Sequence, residues 1–249
     1  MSTLRQASRA RLDPEARYGL RLSLFAMAFL LLAIPFGVLL RQVKTNGTLV
    51  RWDTAAARGL HGWVRRSPGL VRALEVLTFF GSPVWFYAVV GLAAAFLLVR
   101  HRRRLATFLV VTCLGGGLLD TVVKVAVNRP RPSLVDPVAT AHGKSFPSGH
   151  AMSSAIGYGA LLLVFLPVVA PRLRRIIVGA VAVMLAAIGF SRLALGVHYI
   201  TDVLGGYVLG LAWLAASTAA FNVWRVERGR PPVEPMEGLE PEAARGLTG

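Results

Sequence analysis

The stretch 105–132, LATFLVVTCLGGGLLDTVVKVAVNRPRP, decides the fold of this chain. From Leu105 to Val127 only Asp120 and Lys124 are charged, and the run is close to the roughly 20 apolar residues that cross a bilayer as a helix. It ends in Arg129-Pro130-Arg131-Pro132, where prolines stop the helix and stiffen the loop after it. An apolar span that delivers fixed charges to its end predicts a membrane helix with chemistry at its mouth.

Working outward, comparable runs recur at about 22–40, 83–99, 151–169, 176–190 and 199–222, giving about six spans. The whole chain agrees: 249 residues, 55% hydrophobic and 16% charged, with a mean hydropathy of +0.57, are too apolar for an ordinary soluble domain. The formal charge of +16 would suggest nucleic acid in a soluble protein, but here the basic residues lie in short clusters between apolar runs, so no nucleic acid is expected. Arg5, Arg9, Arg11, Arg17 and Arg21 precede the first run; Arg100, Arg102, Arg103 and Arg104 separate the second and third. Arg172, Arg174 and Arg175 separate the fourth and fifth, and Arg225, Arg228 and Arg230 follow the sixth. Six spans put all four clusters on one side, which the positive-inside rule makes cytoplasmic.

The expected fold is therefore an all-α, polytopic membrane bundle with an added amphipathic extracytoplasmic segment. Residues 1–21 form a basic cytoplasmic N-terminal segment, 22–224 the transmembrane domain, and 225–249 a Pro- and Glu-rich cytoplasmic tail expected to be disordered. A cleaved signal peptide is the alternative for the first run, and Arg41-Gln42-Val43-Lys44 argues against it as a poor cleavage site. The single cysteine, Cys113, excludes an intrachain disulfide and reads as a small core residue. Within 41–82, Leu49, Trp52, Ala56, Leu60, Trp63 and Val64 make an approximate helical stripe; packing on the protein and contact with the lipid surface both fit it. Ser67-Pro68 predicts the start of a further short helix.

On this topology the third span exits near Lys124, the fourth enters at Ser148, Gly149 and His150, the fifth exits near Ser191 and Arg192, and the sixth enters near His198. All arrive at the extracytoplasmic side. There the chain shows three polar pieces: Lys124 with Arg131-Pro132 after six intervening residues, Pro147-Ser148-Gly149-His150, and Ser191-Arg192 followed by His198 and Asp202. They resemble, in order and spacing, the tripartite signature of the type 2 phosphatidic acid phosphatase (PAP2) superfamily, with every motif position filled. That superfamily includes lipid phosphate phosphatases, soluble acid phosphatases and vanadium haloperoxidases, so the resemblance implies a phosphate or vanadate site before it implies a reaction.

The residues themselves suggest roles. His198 and Asp202, four apart at a helix start, share a face, where the carboxylate can fix the imidazole tautomer and leave the other nitrogen free to attack. An interfacial His–Asp pair is the plainer reading of those two alone. The N–H groups of Ser148, Gly149 and His150 at a helix start suit phosphate oxygens, with His150 placed to act as acid and then base. Lys124, Arg131 and Arg192 suit the equatorial oxygens of a transferring phosphoryl group, although Lys124 alone could simply snorkel. Asp120, one turn before Lys124, reads as its orienting partner. Arg129 is a secondary candidate for contacting substrate or headgroup; His142 and Lys144 could touch a headgroup too, but read more simply as solvated loop residues. Gly206 and Gly210 form a small-xxx-small pair for helix packing, and Gly115, Gly116 and Gly117 suit close packing or a bend.

The resemblance implies that His198 is the nucleophile, forming a phosphohistidine, and that Arg131 holds the motif position. It implies a lipid phosphate or diphosphate substrate, of the undecaprenyl diphosphate, phosphatidic acid or phosphatidylglycerol phosphate type, in a bacterial cytoplasmic membrane. No cofactor or metal is required, since the cations supply the electrostatics and the remaining carboxylates are scattered. Two alternatives stay open on sequence: vanadate-dependent chemistry on the same residues, and a noncatalytic lipid-phosphate binding or transport protein.

Overall fold

Serine followed by proline opens two of the helices: Ser67 Oγ accepts the Leu70 N–H and Ser82 Oγ accepts the Trp85 N–H, each with proline in the first turn. The computed structural model describes residues 34–45, 47–134, 137–227, 238–242 and 247. After a helical segment at 34–44 come α1 (Thr48–Val64), α2 (Pro68–Phe79), α3 (Pro83–Val99), α4 (Arg103–Val127), α5 (Gly149–Phe165), a 3-10 turn (Leu166–Val168), α6 (Pro171–Ala194) and α7 (Ile200–Glu227). Among the described residues there is no strand. Five stretches are long and apolar enough to cross a membrane: Pro68–Val99, Arg103–Val127, Gly149–Val168, Pro171–Ala194 and Ile200–Asn222. The run expected at 22–40 lies mostly outside the described residues, so five spans stand where about six were expected.

The bundle carries apolar side chains on its outside as well as within. Leu92, Val99, Leu118, Val125 and Val183 are all more than two-thirds exposed, which suits hydrocarbon rather than water. Inside, α5 is the central helix, packed by α3, α4, α6 and α7. Its approach to α7 is close because Gly206 and Gly210 face the Ser148 and Met152 carbonyls. Gly115 and Gly116 likewise lie against the Trp213 indole of α7, and α4 runs unbroken past them. Phe108, Leu97, Leu105, Leu109 and Val164 fill the core at the end away from the polar pieces.

Two stretches gain detail from the structure. The stripe on α1 is divided between its two possible settings: Val64 is buried with Asp53, Ala57 and His61, whereas Trp52 and Trp63 are 71% and 59% exposed. On a helical wheel the exposed tryptophans and the exposed Arg51, Arg58 and Arg65 flank the buried face on opposite sides, the arrangement of a helix lying along an interface. Within the 225–249 tail, described residues meet the bundle. Leu239 is buried in the core end, its N–H bonded to the Leu163 carbonyl at 2.8 Å. Glu240 pairs with Arg104 at 2.9 Å, and Arg100 donates to the Leu247 carbonyl at 2.7 Å. Arg100 after α3 and Arg104 in the first turn of α4 thus meet a carbonyl and a carboxylate of the tail, which the tail's Pro- and Glu-rich composition does not disclose.

Candidate active site

Four helix ends converge opposite the Arg100–Arg104 turn. The helix α4 stops at Asn128, whose left-handed backbone (φ 56°) turns the chain into Arg129-Pro130. From there the loop passes Arg131 and returns at Ser145, whose N–H bonds the Arg129 carbonyl at 2.9 Å. The Ser148 N–H then bonds the Asp202 carbonyl at 2.9 Å, tying the starts of α5 and α7 together.

His198 sits in the α6–α7 turn, 2% exposed. Its Nδ1 faces Asp202 Oδ2 at 3.4 Å and its Nε2 faces Arg131 Nη1 at 3.1 Å. A guanidinium can only donate, so Nε2 carries the lone pair and Nδ1 the proton. Burial pushes the imidazole down to about 4, against the upward pull of Asp202. The ring is neutral at ordinary pH, with its lone pair beside a cation.

Asp202 is fully buried and heavily bonded. Besides His198, its Oδ2 accepts from Ser145 Oγ and from the Tyr199 N–H at 2.9 Å, and its Oδ1 accepts from Arg129 Nη1 at 2.6 Å. Arg131 is clamped by carbonyls: Nη1 donates to Val197 at 2.8 Å, Nη2 to His142 at 3.0 Å and Nε to Gly143 at 3.2 Å. These bonds aim its fork at Nε2.

Lys124 makes a two-point contact with Asp120 at 2.5 Å, as its spacing predicts. Its Nζ would lie 3.1 Å from a Cβ built on Gly149, so the lysine rests on the start of α5 and any side chain at 149 would crowd it. The helix α5 begins at Gly149, and its first internal bond is Met152 N–H to the Ser148 carbonyl. The N–H groups of Gly149, His150 and Ala151 precede that bond and point out of the helix start. Ser148 occupies the N-cap position but its hydroxyl does not cap; Oγ is buried with no hydrogen-bond partner. A buried hydroxyl without a partner is costly, and an anion on the α5 start would satisfy it together with the helix N–H groups. His150 lies within electrostatic range of Arg192, His198, Lys124 and Arg131. Arg192, 7% exposed, donates to Thr78 Oγ1 at 3.0 Å and leaves Nε without a partner. The structure thus gathers Lys124, Arg131, Ser148, Gly149, His150, Arg192, His198 and Asp202 at one end of the bundle, with Asp120 behind the lysine. Among the described residues no group of three His, Cys, Asp or Glu side chains is arranged to hold a metal ion.

Arg129 departs from its expected role as a headgroup contact. It is 7% exposed and bonded to Asp202, to Thr201 Oγ1 at 2.7 Å and to Asp53 Oδ2 at 3.0 Å, with its guanidinium 4.1 Å over the Tyr199 ring. The left-handed Asn128 before it and Pro130 after it set the turn in which it points inward. Sequence reading also missed Asp53, Ser145, Thr78 and Thr201. For Asp53 a signal existed: it is the only acidic residue between 41 and 74, in a segment rich in arginine.

A multi-pass membrane bundle that gathers a buried His–Asp pair, three cations and a helix start at one end has the makings of a membrane enzyme that acts on an anionic group. The model of the PAP2 superfamily matches residues 104–225. Phosphatidylglycerophosphatase B of Bacillus subtilis (strain 168) is 33% identical over 152 residues, covering 59% of this chain and 72% of the relative. Decaprenylphosphoryl-5-phosphoribose phosphatase of Mycolicibacterium smegmatis is 35% identical over 149 residues, covering 56% and 72%. The crystal structure of a transmembrane PAP2 type phosphatidylglycerolphosphate phosphatase from Bacillus subtilis superposes with a TM-score of 0.69 at 26% identity, covering 83% of this chain and 98% of that one. This chain belongs to the PAP2 superfamily and is a phosphatase.

Proposed function

We propose that the protein hydrolyses a lipid phosphate or diphosphate at the extracytoplasmic face of a bacterial cytoplasmic membrane, through a phosphohistidine and without a metal. The observation that carries this reading is the placement of His198, Nε2 beside Arg131 and Nδ1 toward Asp202, which assigns the lone pair to Nε2 and the proton to Nδ1. The phosphoryl group rests on the α5 start, and Lys124, Arg131 and Arg192 take its equatorial oxygens. Nε2 attacks phosphorus as the P–O bond to the lipid breaks, the electron pair leaving on the lipid oxygen, which His150 protonates. Water then attacks the phosphohistidine with His150 taking its proton, the P–N bond breaks, and the electron pair returns to Nε2 as phosphate departs. Asp202 stabilises the imidazolium character that develops in both steps.

A lipid substrate is supported by what lies beside the site. A cavity of about 170 Å³ between α3, α4 and α5 is lined by Phe86, Tyr87, Cys113, Gly116, Asp120 and Ile156. The α4 members recur every three or four residues, so the cavity follows one helix face away from Asp120 into the apolar layer. The arginine-rich turns at the opposite end support the extracytoplasmic placement of the site. The relatives act, by name, on a glycerophospholipid phosphate and a decaprenyl phosphate sugar, and both chemistries carry long apolar tails.

The test is phosphate release by purified protein in detergent with excess EDTA. It compares a prenyl diphosphate, a prenyl phosphate and a glycerophospholipid phosphate with a water-soluble phosphate ester. Release from at least one lipid substrate at tenfold or higher kcat/KM over the soluble ester is expected. Turnover that appears only on adding a divalent cation would overturn the mechanism.

The depressed His198 makes a second expectation. A group with its value near 4 stays unprotonated down to that pH, so the nucleophile is lost only as pH falls through about 4. An ordinary histidine would lose it near 6.5. The acid limb of kcat/KM is therefore expected near pH 4, read from initial rates between pH 3.5 and 8; a limb near 6.5 would show that the burial does not act on the reacting ring.

A further inference from the structure

We infer that Asp53 and Arg129 are positioning residues for the catalytic carboxylate: Asp53 neutralises Arg129 so that Arg129 can anchor Asp202 without cancelling its charge. The inference rests on the reading of His198 and Asp202 as the nucleophile pair.

The geometry is a buried chain of charges. Asp53 Oδ2 receives Arg129 Nη2 at 3.0 Å, and Arg129 Nη1 bonds Asp202 Oδ1 at 2.6 Å. Asp202 Oδ2 then faces His198 Nδ1. The side chains of Asp53, Arg129, Asp202 and His198 are each at most 6% exposed. Asp53 also accepts the Thr201 N–H at 3.0 Å and the Thr201 hydroxyl, so it caps the start of α7 one residue before Asp202.

The arithmetic of charge explains why two acids flank one arginine. If Arg129 faced Asp202 alone, the pair would sum to zero and the carboxylate would offer His198 little electrostatic support. With Asp53 included, the triad carries one net negative charge. Asp202 is then both fixed in place through Oδ1 and still anionic toward the imidazolium that forms at His198. Buried ion pairs cost desolvation and rarely raise stability over apolar packing, so a three-charge chain ending at the nucleophile is better explained by orientation than by stability. The groups that set the charge state of His198 are Asp202, Arg131, Arg192 and His150; Asp53 and Arg129 act on it through the first of these. Asp53 lies in α1, upstream of the residues matched to the superfamily, so the matched region of this chain takes part of its charge balance from outside itself.

The experiment is a double-mutant cycle on the purified full chain in detergent, with His198→Ala as the reference for the nucleophile. Asp53→Asn keeps the shape and the acceptor for the Thr201 N–H while removing the charge. It is expected to lower kcat roughly tenfold to a hundredfold, the range for outer partners of reactive groups, with KM within about twofold. Arg129→Gln is expected to lower kcat similarly, and Arg129→Lys to recover part of that loss. Because Asp53 acts through Arg129, the Asp53→Asn, Arg129→Gln pair is expected to be no slower than the slower single variant. The paired variant also leaves no charge of the Asp53–Arg129 pair buried alone, so it reads the coupling even where a single change fails to fold. Unchanged kcat in Asp53→Asn, or losses that multiply in the pair, would overturn the inference while an inactive His198→Ala leaves the nucleophile reading standing. Full turnover by His198→Ala would instead remove the reading on which the inference depends.

Discussion

Replacing His198 with alanine is expected to lower kcat by at least about 10⁴-fold, the scale seen when a nucleophile is removed from a covalent mechanism, while substrate still binds within a few-fold of the unchanged protein. The separation follows from the geometry. The groups that would hold the phosphoryl oxygens are Lys124, Arg192, the α5 start and the Ser148 hydroxyl, and none of them is positioned by the imidazole. Arg131 does bond Nε2, but carbonyls of His142, Gly143 and Val197 fix the guanidinium independently. The vacated place is enclosed, with His198 only 2% exposed, so a water reaching it cannot simply replace the ring at the required angle. Single-turnover experiments with substrate labelled in the transferred phosphate check the covalent step. Label should remain on denatured protein from the unchanged chain and be absent from His198→Ala. A variant that retains turnover would mean that water attacks phosphorus directly and that His198 is not the nucleophile.

How much of the fold and site is legible in the sequence depends on the range of the interaction. Hydropathy marks where helices lie because a bilayer-crossing run needs only its own residues, and Ser67-Pro68 announces a helix start because capping is local. The Lys124–Asp120 contact is legible for the same reason, being an i, i+4 pair on one helix. The inward turn of Arg129 is not legible, because its partners, Asp53 and Asp202, are 76 and 73 residues away, and nothing in Arg-Pro-Arg-Pro says which arginine points into the protein. The stripe on α1 leaves its setting open for a related reason: hydrophobicity measures avoidance of water, and in a membrane protein both lipid and protein satisfy it. Trp52 and Trp63 therefore lie outside while the polar Asp53 and His61 lie within. The docked tail at 238–242 depends on an arginine turn more than a hundred residues earlier, a distance at which composition carries no information.

Gly206→Ala is expected to reduce kcat about a hundredfold, whereas Gly210→Ala, one turn further along α7, is expected to cost similar stability and far less activity. A Cβ at 206 would lie 2.6 Å from the Ser148 carbonyl oxygen and 3.0 Å from the Ala151 Cβ. Neither neighbour can yield cheaply: the carbonyl holds the first bond of α5 through Met152, and Ala151 is fully buried. The start of α7 must move instead. It carries Asp202 one turn before Gly206, and the Asp202 carbonyl accepts the Ser148 N–H, so a shift there separates the His–Asp pair from the phosphate cradle. Displacements of about 1 Å at reacting groups cost on the order of 10² in rate. At Gly210 the added Cβ would meet the Met152 carbonyl at 3.0 Å, two turns from Asp202, where the strain of about 1–3 kcal/mol expected for overpacking falls on the bundle rather than on the chemistry. Thermal unfolding in detergent measured beside kcat separates the two: equal losses of activity at both positions would make the glycines general packing residues, and a loss confined to Gly206→Ala would show that the α5–α7 contact sets the distance between nucleophile and phosphate.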